Sequence, residues 1–133
     1  MEQNSKSWEI NGISLPLDLS DADIMARYED AFEEMKKDET TIPKDGRGSE
    51  WIRGYCQMYR NLYDRIFGEG TADRIFAGQP TSSEVYENVY DSFLTFVTAQ
   101  TAGIAERRAA FLSKYTPNRA QKRAAAQGKK RKR

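Results

Sequence analysis

The chain has 133 residues, 38% hydrophobic and 31% charged, which suits one modest core and is too short for two ordinary ones. Its formal net charge of +1 conceals a split: residues 115–133 hold eight of the 21 Lys and Arg and none of the 20 Asp and Glu, which leaves −7 on the first 114. Histidine is absent and Cys56 is the single cysteine, which excludes Ser–His–Asp and Cys–His catalysis, His-ligated metals and an intramolecular disulfide.

The opening MEQNSKSWEI has no apolar run behind a basic region, and nowhere do 18 apolar residues follow one another, so neither a signal peptide nor a membrane-spanning helix is expected. Residues 1–6 read as disordered. Ser7–Ile10 and Ile13–Leu17 flank Asn11-Gly12, the dipeptide suited to positive φ at both central positions of a type I′ turn, and predict a hairpin over 7–17. A lone hairpin is marginal, so it should lie on helices or on a partner. A first helix starts at Ser20 or Asp21 as N-cap, with Ile24, Tyr28, Phe32 and Met35 on its apolar stripe and Glu29, Asp30, Glu33 and Glu34 opposite, and runs to about Lys37. Asp38–Gly48, with Pro43, Gly46 and Gly48, reads as a loop.

Ser49 is the expected cap of a second helix with a wide apolar face from Trp51 to Phe67, ended by Gly68. Thr71 is the expected cap of a short helix over 72–76. The last helix is the longest. Thr81 with Glu84 has capping-box spacing, with Ser82 and Ser83 as competing caps, and periodicity weakens at Thr101–Gly103. The fold class that follows is a mainly α single domain over 7–115, with three longer helices, one short one and the N-terminal hairpin. A flexible basic tail follows over 116–133.

Chemistry is sparse. Cys56 lies on the apolar stripe of the second helix and reads as a buried structural thiol. Asp21 and Asp23 read as capping groups, since no glycine-centred loop or third carboxylate follows at metal-ligand spacing. Gly68-Glu69-Gly70-Thr71 lacks the lysine and the preceding strand of a phosphate loop. No catalytic, cofactor-binding or metal site is expected, and the protein reads as a non-enzyme. Tyr55, Tyr59, Tyr63, Tyr86 and Tyr90 recur at stripe-like spacing, either as core packing or as an aromatic groove or dimer face. The basic tail has three open readings: a salt-dependent contact with nucleic acid, docking on an acidic protein surface, or a solubilising extension.

Two stretches carry a resemblance. FGEGTADRIFAG (67–78), directly after an aromatic-rich helix, and YTPNRAQKR (115–123) resemble small tail assembly chaperones of bacteriophages and prophages of Gram-positive bacteria. Glu9-Ile10-Asn11-Gly12 and the acidic first helix fit the same plan, while Lys122 stands where arginine is commoner. The resemblance implies a non-enzymatic helical chaperone of the bacterial host cytoplasm, without cofactor or membrane, that coats the tape measure protein and recruits tail tube subunits. It also implies the occurrence of short and frameshifted long forms. On that reading Tyr55, Tyr59, Tyr63, Tyr86, Tyr90 and Phe93 form the partner-binding groove. Recruitment falls to Arg119, Lys122 and Arg123 and to the terminal run Lys129, Lys130, Arg131, Lys132 and Arg133. Self-association is a further expectation, and the alternative is a small nucleic-acid-binding or regulatory protein acting through the basic arm.

Overall fold

The computed structural model describes residues 6–115. The expected disorder of residues 1–5 and the whole of the 116–133 tail, with its eight basic residues, lie outside that range. The architecture is mainly helical: β1 (Ser7–Ile10), β2 (Ile13–Pro16), α1 (Ala22–Thr40), α2 (Gly48–Phe67), α3 (Thr71–Ile75) and α4 (Ser83–Tyr115).

The hairpin forms as the Asn-Gly pair dictates. Asn11 takes φ 48° and Gly12 φ 83°, and the antiparallel register sets Trp8 opposite Leu15 and Ile10 opposite Ile13. Asn11 also donates from its side-chain amide to the Ile75 carbonyl at 2.8 Å, which pins the turn to the end of α3. Lys6, expected in the disordered start, is tied down: its carbonyl accepts from Leu17 N at 2.7 Å.

Asp21 caps α1, its carboxylate accepting from Asp23 N at 2.9 Å and Ile24 N at 3.2 Å. The helix outruns its expected end at Lys37. The Thr40 and Thr41 hydroxyls donate to the Lys37 and Asp38 carbonyls at 2.6 and 2.7 Å, so the last turn is satisfied without an earlier stop. The start of α2 differs as well. Arg47, not Ser49, is the cap residue, and no side chain bonds the first turn, whose residues are exposed; Glu50 N donates to the Arg47 carbonyl at 3.0 Å. Gly68 does end α2, at φ 120° and ψ 154°, an extended positive-φ conformation and not the left-handed helical one. Thr71 is the first residue of α3, not its cap; Asp64 in α2 supplies the missing acceptor by receiving Ala72 N at 2.8 Å. Ser82, among the three competing candidates, caps α4 by accepting from Val85 N at 3.3 Å.

The chain divides into two units, Met1–Gln100 and Thr101–Arg133. That division falls where the periodicity weakens. Within the second unit, residues 105–114 are exposed.

The core of the first unit gathers around Phe93. Its ring lies 5.0 Å from Trp8, 5.7 Å from Tyr63 and 6.0 Å from Phe67, centroid to centroid, in edge-on contacts. Burying each such side chain contributes about 1.5–3 kcal/mol. Trp8 also donates from its indole nitrogen to Ser92 Oγ at 3.0 Å, so the hairpin is fastened to α4 by both packing and a hydrogen bond. Between hairpin and α1, Leu17 and Leu19 are buried. Gln100 clamps that stretch: its amide donates to the Leu17 carbonyl at 2.9 Å and its oxygen accepts from Leu19 N.

Candidate functional site

The six aromatic residues expected to form a groove separate into two groups. Tyr59, Tyr63, Tyr86 and Phe93 are buried in the core. This corrects the reading of them as an open partner-binding surface. Their stripe faces other parts of the same chain: Tyr63 meets Trp8 at 5.6 Å and Phe76 at 6.0 Å, and Tyr86 stacks on Phe76 at 3.8 Å with an interplanar angle of 6°. Only Tyr55 and Tyr90 keep intermediate exposure.

A shorter aromatic ridge takes the groove's place. Trp51, in the first turn of α2, is 39% exposed and stacks on Tyr55 at 4.6 Å and 15°. Tyr55 meets Tyr59 edge-on at 5.1 Å, and Tyr59 meets Tyr90 of α4 at 4.9 Å. The ridge therefore runs from an exposed indole down into the core. Its hydroxyls are ordered: Tyr59 donates to Tyr55 Oη at 3.0 Å, and Tyr55 donates to Glu87 at 2.8 Å. Burial first, and then the bonds to Tyr59 and Glu87, push the Tyr55 phenol well above its ordinary range. Burial likewise raises Tyr59, Tyr63 and Tyr90. All four phenols therefore stay neutral at physiological pH.

Beside the ridge lies a hollow of about 110 Å³, with Ile42 and Met58 as its apolar lining and Glu39 and Lys44 at its polar side. The chain approaches closely here; a Cβ on Gly54 would stand 3.2 Å from Pro43 Cδ. Sequence reasoning placed Trp51 on the apolar face but not in the site. Its position one turn from the glycine- and proline-containing loop is the signal that distinguishes it.

The acidic face of α1 is where the pattern put it. Glu29, Asp30 and Glu33 are exposed, and Glu34 pairs with Lys37 at 3.1 Å. Asp38 is bound to the body of the fold instead. Burial works against its charge, but Arg65 at 2.8 Å and Asn61 at 3.2 Å outweigh it and hold the carboxyl below its usual range. Cys56 is buried, and burial pushes its thiol up. Among the described residues no three His, Cys, Asp or Glu side chains cluster as metal ligands, and no helix is long and apolar enough to cross a membrane.

These features define a small, mainly helical protein with an N-terminal hairpin and an aromatic ridge at one end of its second helix. Residues 11–126 match a described family, and the chain belongs to it: the family of unknown function DUF6673. No curated protein and no solved structure matches the chain.

Proposed function

We propose that the protein is a non-enzymatic tail assembly chaperone of the phage and prophage type, which holds the helical tape measure protein and recruits tail tube subunits to it. The observation that carries the contact is the Trp51–Tyr55 ridge beside the Ile42–Met58 hollow. An exposed, stacked indole offers large rigid area at low entropic cost, the property expected of an anchor for an apolar helix. A tape measure chain presents many such stripes in succession. Modest contacts repeated along it give avidity while each remains displaceable by tube subunits. The resemblance of residues 67–78 and 115–123 supports the choice of partner, and the basic residues from Arg119 to Arg133 are the proposed recruiting element.

The test is a tagged pull-down from producing cells, treated with nuclease and washed at low and high salt, with mass spectrometry of the retained proteins. Recovery of a tape measure or tail tube protein, lost on Trp51→Ala, is the expected result. Retention of salt-sensitive, nuclease-sensitive material alone overturns it in favour of a nucleic-acid binder acting through the eight charges of residues 115–133.

A further inference from the structure

We propose that the cleft between α2 and the start of α4 binds an oxyanion of the phosphate class, free or at the end of a small phosphorylated molecule. Arg53, Gln57 and Arg60 stand at i, i+4 and i+7 of α2 and so share one face. Thr81 and Tyr86 form the facing wall, and Cys56 completes the lining of a cleft of about 270 Å³. No carboxylate lines it. In a chain whose first 114 residues carry −7, two guanidiniums line this cleft, while the acids that act on it, Asp73 and Asp64 on Arg60 and Glu87 on Cys56, stand outside the lining.

Arg60 is fixed before any ligand arrives. Its Nη1 donates to Tyr86 Oη at 3.2 Å, its other terminal nitrogen pairs with Asp73, and its guanidinium carbon lies 6.0 Å from the Phe76 ring centroid. The side chain keeps 27% exposure, so a guanidinium held in place still reaches the cleft. Fixing it in advance lowers the ordering cost of binding. Gln57 is oriented as well, donating to Asn61 at 2.9 Å. Arg53 is exposed and makes no ion pair among the described residues. Asp73 offsets part of the Arg60 charge, which makes Arg53 the group whose charge decides occupancy.

Donors on both walls favour phosphate over a carboxylate. A tetrahedral dianion accepts from two guanidiniums and from the Thr81 hydroxyl across the cleft, whereas a planar carboxylate satisfies one fork. Burial keeps the Cys56 thiol protonated, against the pull of Arg60, so the cleft binds without a nucleophile.

The experiment is an NMR titration of the full ¹⁵N-labelled chain with inorganic phosphate at constant ionic strength, with acetate and chloride as comparison arms. The expected result is a saturable shift at Arg53, Gln57 and Thr81, weaker with acetate and absent with chloride. Arg53→Gln, which disturbs no ion pair of the fold, should weaken phosphate binding about tenfold with the circular dichroism spectrum unchanged. Equal shifts with chloride, shifts confined to the basic residues beyond Tyr115, or an affinity that Arg53→Gln leaves unaltered each overturn the proposal. None of these outcomes bears on the Trp51 ridge or its partner.

Discussion

Tyr63 and Tyr55 illustrate how differently one side chain can serve at two positions of the same helix. The Tyr63 ring is fully buried and its hydroxyl has no hydrogen-bond partner among the described residues, whereas the Tyr55 hydroxyl sits in a relay between Tyr59 and Glu87. Removing the oxygen therefore has opposite signs. Tyr63→Phe relieves an unsatisfied buried group and should raise stability by about 1 kcal/mol in urea melts, while Tyr55→Phe should lower it by a similar amount. The same burial governs the alkaline limit. Neutral phenols with raised folded pKa values contribute stability that is complete below the ordinary tyrosine value of 10.0 and is lost as pH climbs above it. A melt series from pH 8 upward should show stability falling once pH passes about 10, with the phenolate absorbance of Tyr55, Tyr59, Tyr63 and Tyr90 appearing only as the chain unfolds. Gln100 is the other residue with a disproportionate role, since both ends of its amide satisfy buried backbone groups. Gln100→Leu should cost about 1–3 kcal/mol for each backbone group left without a partner, read from the shift of the urea midpoint.

At the scale of elements, Phe93 joins four of them: Trp8 of β1, Tyr28 of α1, Tyr63 and Phe67 of α2, and its own α4. Phe93→Ala should cost about 3–5 kcal/mol in equilibrium unfolding, because the cavity opens where no single element can collapse to fill it. Elements of this kind were legible in the sequence wherever local chemistry determines them. Asn11-Gly12 writes the hairpin, Asp21 the start of α1 and Gly68 the end of α2. The cap of α2 was not legible, because the first turn is closed by backbone bonds to the Arg47 carbonyl and no side chain caps it, so a serine two residues on carries no information there. For the tyrosines the sequence left core packing and a groove both open. Periodicity tells which face of a helix is apolar, but not which neighbour covers it, and at Tyr59, Tyr63 and Tyr86 the neighbour is the chain itself. Trp51 shows the converse: it shares the stripe, yet it keeps 39% exposure.

Viewed whole, the molecule segregates its charge along the chain, and its core closes within Met1–Gln100. Deleting residues 116–133 should leave the unfolding midpoint unchanged while shifting the isoelectric point from about 7.8 into the acidic range, which isoelectric focusing and thermal melts read side by side. The closure of that core also has a consequence in time. Trp8 completes its bonding only with Ser92, 84 residues further along, and Leu17 and Leu19 only with Gln100. A growing chain adds about 5–20 residues per second, so the first hairpin waits about 4–17 s for the helix that fastens it. Until then the indole nitrogen lacks its acceptor, and the ring has only Tyr63 and Phe67 of α2 to pack against; a protein proposed to shelter the apolar stripes of another chain begins its own life with its hairpin half fastened.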